Sequence, residues 1–413
     1  MKKTKIDHYT DKEALDFHSY KKPGKIEISS SKNITTKRDL ALAYSPGVAA
    51  PVRAISNNPE TVFDYTSKGN LVAVISNGTA ILGLGSLGAL ASKPVMEGKA
   101  ALLKKFAGID VFDIEVNTKD NNEFINTVTN ISPTFGAINL EDIKAPDCFI
   151  IEKELQKRLN IPVFHDDQHG TAISIAAGII NATKIQKKDI ASCKIVCLGA
   201  GASAIASMKF LEKIGAKRSN MYMLDSKGLI ITSRDNVNKF KQYFAQNTDI
   251  TTKSDVISNC DILIGLAGPD IVTVEEIKSM NENPIIFTLS NPNPEISYEI
   301  LKKTRKDAII ATGRSDYPNQ INNVLCFPYI FRGALNVRAT SINEYMMIAA
   351  AKEIAAIAEE EVPDYIKAIY PKEQNISFGM DYIIPKPMDK RLRTRVSTAV
   401  ENAYKDTVIK QCI

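Results

Sequence analysis

Lys194-Ile-Val-Cys-Leu-Gly-Ala-Gly-Ala-Ser-Ala204 is the stretch of sequence that predicts the fold. An apolar strand leads directly into Gly199, with the G-x-G-x-x-A spacing of a dinucleotide-binding loop. A helical stretch without proline follows, and a second apolar strand then ends at Asp225, at about the distance expected for a ribose-binding acid. We therefore predict a Rossmann-type, doubly wound parallel sheet, with the pyrophosphate held by the backbone of Gly199, Ala200, Gly201, Ala202 and Ser203.

A second glycine motif competes with the first. Gly83-Leu-Gly85-Ser-Leu-Gly88 matches G-x-G-x-x-G letter for letter. Only two apolar residues precede it, and Pro94 interrupts the helical pattern that follows, so the strand before and the helix after are both missing. The Gly199 loop is the better candidate for phosphate binding.

Apolar stretches alternate with helical ones along the whole chain, which is typical of an α/β protein with parallel sheets. We predict an N-terminal α/β catalytic domain over residues 1–163 and the Rossmann-type domain over residues 164–413, with C-terminal helices from about residue 335 packing back. The predicted strands are 71–76, 111–116, 135–140 and 161–164, followed by 194–198, 220–224, 261–266, 285–289 and 308–311. The predicted helices include 95–107, 148–159, 171–183, 340–360 and 390–406.

Four carboxylates follow two predicted strands of the first series. Glu141 and Asp142 close one strand, and Asp166 and Asp167 close another. Because parallel strands place their carboxyl ends side by side, the two pairs could face one crevice. Only oxygen ligands are offered, which favours a hard divalent ion such as Mg²⁺ or Mn²⁺. The alternative is a pair of solvated loop ends.

A lysine and a tyrosine are further candidates. Lys99 lies within the apolar stripe of a predicted helix, where desolvation would lower its pKa toward the range of a general base. A lysine whose aliphatic stem covers the core is the commoner alternative. Tyr44 precedes the turn Ser45-Pro46-Gly47, where it could be a packing residue or a proton donor.

The residues after the second Rossmann strand bear on nucleotide choice. Asp225 alone favours NAD, because a carboxylate bonds the ribose 2′-hydroxyl and repels a 2′-phosphate. Ser226 and Lys227 could instead bind that phosphate, so NADP is the preferred cofactor and NAD the alternative. The other interpretation of Lys227 is an exposed turn lysine.

Taken together, the motifs resemble malic enzymes, particularly the shorter bacterial members, over about residues 15–410. They are YSPGVA (44–49), NGTAILGLGSLG (77–88), KPVMEGKA (93–100), NLED (139–142), FHDDQHGTA (164–172) and LGAGASA (198–204). The resemblance implies oxidative decarboxylation of (S)-malate to pyruvate and CO₂ with NADP or NAD and a divalent metal. It makes Lys99 the general base and Tyr44 the general acid, with Asp166 beside Lys99. It also implies metal ligands at Glu141, Asp142 and Asp167, a nicotinamide neighbour at Asn291 and a substrate ligand at Asn323.

One departure from the family concerns the substrate. Larger relatives carry an arginine before I-L-G-L-G that grips a substrate carboxylate, whereas this chain has Ala80. Arg314 or backbone N–H groups are the alternatives. The resemblance also implies at least a homodimer, with the N-terminal helices at the interface. A stand-alone enzyme and the first part of a longer hybrid protein both stay open.

Charge and composition exclude other classes of function. The net charge is +5, the basic residues are spread thinly and no aromatic platform accompanies them, which argues against nucleic acid binding. We expect no membrane span, and the N-terminus lacks the apolar region of a signal peptide, which favours the cytoplasm.

Two rival functions stay open at this stage. The first is a non-decarboxylating hydroxy-acid dehydrogenase that uses His165 or His169 as its base. The second is a non-catalytic module that binds a nucleotide or metabolite and regulates a partner.

Overall fold

The computed structural model describes residues 10–81, 83–250, 252–370 and 376–412, and these form two largely parallel sheets with helices against their faces. The first sheet contains β1 (Leu71–Ser76), β2 (Asp110–Glu115), β3 (Ala137–Leu140) and β4 (Val163–His165). The second contains β5 (Ile195–Leu198), β6 (Met221–Asp225), β7 (Gly228–Leu229), β8 (Ile262–Gly265), β9 (Ile285–Thr288) and β10 (Ile309–Thr312).

Helices connect the strands and extend beyond both sheets. Those of the first half are α1 (Asp11–Ser19), α2 (Lys37–Ala43), α3 (Ala49–Asn57), α4 (Val62–Tyr65), α5 (Ala89–Leu102), α6 (Asn121–Ile131), α7 (Asp147–Arg158) and α8 (Asp166–Ile185). Those of the second half are α9 (Ala202–Lys213), α10 (Lys239–Gln242), α11 (Lys253–Ile257), α12 (Val274–Lys278), α13 (Tyr298–Thr304), α14 (Phe327–Asn336), α15 (Glu344–Glu359), α16 (Asp364–Ile369) and α17 (Arg391–Cys412). Among the described residues, none of these helices has the length and apolar character needed to cross a membrane.

The first sheet has the order β2-β1-β3-β4, and all of its strand pairs are parallel. Every residue of β1 is buried, as its continuous apolar run requires when helices cover both faces. Leu140 of β3 pairs with His165 of β4. This register brings the residues that follow the two strands to the same edge.

The second sheet has the order β10-β9-β8-β5-β6-β7 and is parallel except for β7. The chain turns away from β5 in both directions, to β6 on one side and to β8 on the other. This strand reversal leaves a crevice beyond the carboxyl ends of β5 and β8, where doubly wound folds bind their ligands. The α/β class and the Rossmann-type sheet are confirmed, and the two-residue β7 was too short to predict.

Two helix starts differ from the predictions. Helix α5 begins at Ala89 and contains Pro94, which the sequence had suggested would interrupt it. A proline at position i leaves the carbonyl of residue i−4 without its helical hydrogen bond, and here that residue is Leu90. Because Leu90 is exposed, water can hydrate its carbonyl. Helix α8 begins at Asp166 and not at residue 171, because β4 ends at His165 without an intervening loop.

The C-terminal helices pack back, as predicted, against α8 and β4. Buried Asn181 of α8 donates hydrogen bonds to the carbonyls of Ala355 in α15, at 2.9 Å, and Ile383, at 2.8 Å. Phe331 of α14 packs edge-to-face on Phe164 of β4, with ring centroids 5.6 Å apart. The division at residues 163 and 164 stays a prediction, and β4 continues the first sheet to His165.

Replacing Asn181 by alanine tests this packing. We expect Asn181→Ala to lower the free energy of unfolding by about 2–3 kcal/mol, because two buried carbonyls lose their donor. Urea denaturation followed by circular dichroism measures the change. Exposed Asn160 provides the control, and equal stability of both variants would show that α8 is not held in this way.

Candidate active site

The predicted acidic cluster forms at the carboxyl edge of the first sheet. Glu141 and Asp142 follow β3, whereas Asp166 and Asp167 form the first turn of α8 directly after β4. Carboxylate oxygens of Glu141, Asp142 and Asp167 all lie within 4.8 Å of one another. The Asp142 N–H donates to Asp167 Oδ2 at 2.8 Å, which fixes the two segments together.

Lys99 reaches this cluster from α5 and is buried with it. Its Nζ lies 3.0 Å from Glu141 Oε1 and contacts Asp166 Oδ2 directly. Asn323 Nδ2 donates to the same Asp166 oxygen at 2.7 Å. The ammonium also lies 4.5 Å from the centroid of the Phe327 ring, a cation–π distance.

The protonation of Lys99 and its neighbouring carboxylates is controlled by the charges that they place on one another. Burial lowers the pKa of Lys99, but Asp166 and Glu141 raise it by more, so its net shift is upward. The expectation that desolvation would depress this pKa was therefore wrong, because two carboxylates contact the amine. Burial raises the pKa of Asp166 to about 7 although Lys99 opposes the shift. Burial and the Asp167 carboxylate together raise the pKa of Glu141 to about 7.

The donor set of the cluster fits a divalent cation. Three carboxylates offer oxygen alone, which is the ligand type that Mg²⁺ and Mn²⁺ prefer. Burial also raises the pKa of Asp167, so the grouped acids resist full ionisation without added positive charge. Glu141, Asp142 and Asp167 are therefore the residues that could hold the ion.

Of the two histidines proposed for the rival dehydrogenase, His169 bonds a different acid through its ring, whereas His165 Nδ1 lies 3.8 Å from Asp167 Oδ2. His169 Nε2 lies 2.9 Å from Glu152 Oε1, and the His165 backbone N–H donates to the same oxygen at 3.0 Å. Burial lowers the pKa of the His165 imidazole to about 4, so it is neutral. Among the described residues, neither histidine belongs to a cluster that could hold a metal.

The Gly199 loop joins β5 to α9 at the strand reversal of the second sheet. Gly199 has φ +114°, and a Cβ there would lie 2.4 Å from the Leu266 carbonyl oxygen, so only glycine fits. A Cβ on Gly201 would instead enter open space. Gly201 is the N-cap residue of α9 and offers no side-chain cap, so the first N–H groups of the helix are left for a ligand. Loop and helix start together suit a pyrophosphate.

The other glycine motif has a different role in the structure. Gly85 pairs with Ile81 in an isolated bridge, and Gly88 precedes α5. A Cβ on Gly83 would lie 2.9 Å from the Asn291 carbonyl oxygen. The motif therefore brings the segment before Lys99 against the loop after β9 that carries Asn291.

Asp225 is paired by cations that the sequence did not reveal. Arg234 Nη2 lies 3.1 Å from Asp225 Oδ1, and Lys241 Nζ lies 2.9 Å from Oδ2. Ser226 and Lys227, the predicted phosphate ligands, are exposed, and the Lys227 backbone N–H donates to Asp225. Although burial opposes it, the bonds from Lys241 and Lys227 lower the pKa of Asp225. Arg234 and Lys241 follow Asp225 by nine and 16 residues, beyond the reach of a local motif.

Arg314, one alternative for gripping a substrate carboxylate, already has a partner. Its Nε and Nη2 atoms lie 2.9 and 2.7 Å from the two oxygens of Asp316, and Nη1 donates to the Pro292 carbonyl. The Ala80 N–H donates to the carbonyl of Asp142 at 3.0 Å, so Ala80 lies beside the acidic cluster.

Tyr44 stands apart from these groups. It follows α2, and 72% of its surface is exposed. Within the described residues, no hydrogen bond joins its hydroxyl to Lys99 or to the acidic cluster. The structure therefore brings together Lys99, Glu141, Asp142, Asp166, Asp167 and Asn323, but it does not bring Tyr44 to them within one chain.

Comparison with known proteins yields consistent matches. Residues 168–379 match the family model "Malic enzyme, NAD binding domain", and residues 23–123 and 119–156 match "Malic enzyme, N-terminal domain". The chain is 56% identical to the NADP-dependent malic enzyme of Halomonas elongata, covering 95% of this chain and 93% of that protein. It is 54% identical to the NADP-dependent malic enzyme of Escherichia coli, covering 96% of this chain and 53% of that protein. It thus spans about half the length of the E. coli relative.

Solved structures give the same match. The malic enzyme of Pyrococcus horikoshii superimposes with a TM-score of 0.86 at 42% identity, covering 96% of this chain and 91% of that chain.

Proposed function

The chain belongs to the malic enzyme family, and we propose that it oxidises (S)-malate with NADP and decarboxylates the product to pyruvate and CO₂. One observation carries this proposal. A buried amine, Lys99, lies between Glu141 and Asp166 and borders a cluster of three carboxylates with oxygen donors suited to a divalent cation.

Glu141, Asp142 and Asp167 would hold Mg²⁺ or Mn²⁺, which would supply Lewis-acid polarisation of the substrate oxygens. Of these three residues, Glu141 contacts the Lys99 ammonium, so a cation bound there would compete for that carboxylate and favour loss of a proton from Lys99. Asp166, which contacts Lys99, lies where it can accept that proton.

Lys99, once neutral, would take the proton from the C2 hydroxyl of malate, and NADP when bound would supply the hydride acceptor. Asp166 and Asn323 hold the amine in place. Asp166 Oδ2 accepts hydrogen bonds from both Lys99 Nζ and Asn323 Nδ2. Burial of Lys99 and Glu141 excludes water from the reacting atoms. With Arg314 committed to Asp316, we assign the malate carboxylate to backbone N–H groups.

Substitution of the amine tests this assignment. Lys99→Met keeps most of the length of the side chain and removes its charge, and we expect malate oxidation and CO₂ release to fall by at least about a thousandfold while NADP still binds. Coupled measurement of NADPH absorbance and released CO₂ checks both products. Turnover near that of the unsubstituted protein would remove Lys99 from the mechanism, and NADPH without CO₂ would favour a simple dehydrogenase.

Tyr44 completes the site from a second copy of the chain. Helices α1 to α4 contain no buried residue. Eleven large apolar side chains in this region are exposed, namely Leu15, Phe17, Tyr20, Ile28, Ile34, Leu40, Leu42, Tyr44, Val48, Val52 and Tyr65. A surface this apolar is typical of a protein interface. Packing of two copies through it would bury Tyr44 and place its phenol to protonate C3 of the enolate that loss of CO₂ leaves, which gives pyruvate.

Mixed dimers distinguish this arrangement from a site within one chain. Tyr44→Phe and Lys99→Met chains, each inactive alone, are co-expressed with different tags. If Tyr44 acts across the interface, about a quarter of the unsubstituted activity returns, since half the dimers are mixed and each has one intact site. No recovered activity in purified mixed dimers, or a monomer by native mass measurement, would contradict the shared site.

NADP is selected by the cluster around Asp225. Arg234 and Lys241 neutralise the carboxylate that would otherwise repel a 2′-phosphate, and bonds to the carbonyls of Gly228 and Leu229 fix the Arg234 guanidinium. Lys241, with one carboxylate contact, is free to bind a phosphate oxygen as well.

Kinetics with both nucleotides test this role. We expect Lys241→Ala to raise the KM for NADP by about tenfold and to leave the KM for NAD within about twofold, because only NADP carries the 2′-phosphate. Lys239→Ala, in the same short helix, is the control. An equal rise for both nucleotides would assign Lys241 a structural role.

A further inference from the structure

A cavity of about 340 Å³ opens between helices of the two sheets, away from the acidic cluster. Helices α7 and α8 form one side, and α9, α10 and α15 form the other. Its walls are mostly apolar, with Phe149, Ala172, Ala206, Phe210, Phe240 and Met347 among the lining residues. The Phe149 and Phe240 rings, from α7 and α10, lie 4.4 Å apart between centroids. Apolar cavities between packed units are where small ligands preferentially bind.

The cavity is distinct from the proposed catalytic and nucleotide sites. Gln168 and His169 line it, whereas the two preceding residues of α8 belong to the acidic cluster. On α9 the lining residues run from Ile205 to Lys213. At the helical rise of 1.5 Å per residue, Lys209 is about 9 Å along α9 from Ser203 of the glycine loop.

Charges of both signs line the cavity, and of its two carboxylates Glu152 is bonded to Gln168 and His169. Lys153, Lys209 and Lys213 line it from α7 and α9. Lys213 pairs with Glu344 at 3.0 Å, but within the described residues neither Lys153 nor Lys209 has a carboxylate within ion-pair distance. Burial lowers the pKa of Lys209, and the Lys153 ammonium lowers it further against the opposing effect of Glu212. An anion between the two lysines would relieve this repulsion.

We propose that the cavity binds a small monocarboxylate with an apolar chain or ring, and that its binding regulates the enzyme. The apolar part lies against Phe149 and Phe240, and the carboxylate lies between Lys153 and Lys209. A ligand held in this way connects α7 of the first sheet to α9 of the second. Gln168 and His169 bond to Glu152 on the cavity wall and directly follow the acidic pair of α8, so occupancy is transmitted to the cluster.

Calorimetric titration with octanoate tests the site on the full chain. We expect one octanoate per chain, bound equally with and without saturating NADP. Lys209→Glu should weaken binding by about tenfold or more, whereas Lys217→Glu, an exposed lysine beyond α9, should change it by less than about twofold. Octylamine tests the sign of the charge and acetate tests the apolar part; we expect neither to bind.

Filling the cavity gives an independent variant. Ala206→Phe places a ring in the apolar space, and thermal melting verifies that the chain still folds. We expect Ala206→Phe to abolish octanoate binding. We also expect octanoate to shift the apparent KM for malate in the unsubstituted protein but not in this variant. The proposed site would be wrong if octanoate competed with NADP, or if Lys209→Glu and Ala206→Phe both bound octanoate unchanged. The regulatory role would be wrong if octanoate left the KM for malate unchanged.

Discussion

The contact of the Lys99 ammonium with Glu141 and Asp166 is the interaction on which the rest of the site depends. A buried charge without a partner is strongly destabilising, so amine and carboxylates have to reach the same place. The parallel register of β3 with β4 brings the acids together, and α5 supplies the amine. Asn323, from the segment before α14, donates to the same Asp166 oxygen as Lys99. Four separate stretches of chain are thus constrained by one set of charges.

Parts of the fold that rest on local pattern were predictable from sequence. Most strands of both sheets are short, largely apolar runs, and the glycine loop requires a strand before and a helix after it. The meeting of Glu141, Asp142, Asp166 and Asp167 followed from strand direction alone. Pro94 within α5 was misread, because the exposure of Leu90 is a tertiary property. The direction of the Lys99 pKa was also wrong, since it depends on carboxylates 42 and 67 residues away.

Nucleotide selectivity also depends on residues that are distant in sequence and could not be predicted from a local motif. Asp225, Ser226 and Lys227 form a local motif, yet the cations that contact Asp225 are Arg234 and Lys241. Both come from the irregular segment after β7, whose path the sequence pattern does not specify. The exposed apolar surface of α1 to α4 could not be predicted from sequence either. The apolar residues of short helices are equally compatible with a buried core.

Helix α8 has a consequence for how this sequence can change over evolution. Its first turn carries Asp166 and Asp167, while its later turns lie in the core against the C-terminal helices. A Cβ on Gly170 would lie 1.8 Å from Asp166 Oδ1, and one on Gly178 would lie 2.8 Å from the Ile321 side chain. The two glycines are thus constrained for different reasons, one by chemistry and one by packing. Drift in α8 is limited to substitutions that satisfy both, so this helix should diverge more slowly than its neighbours.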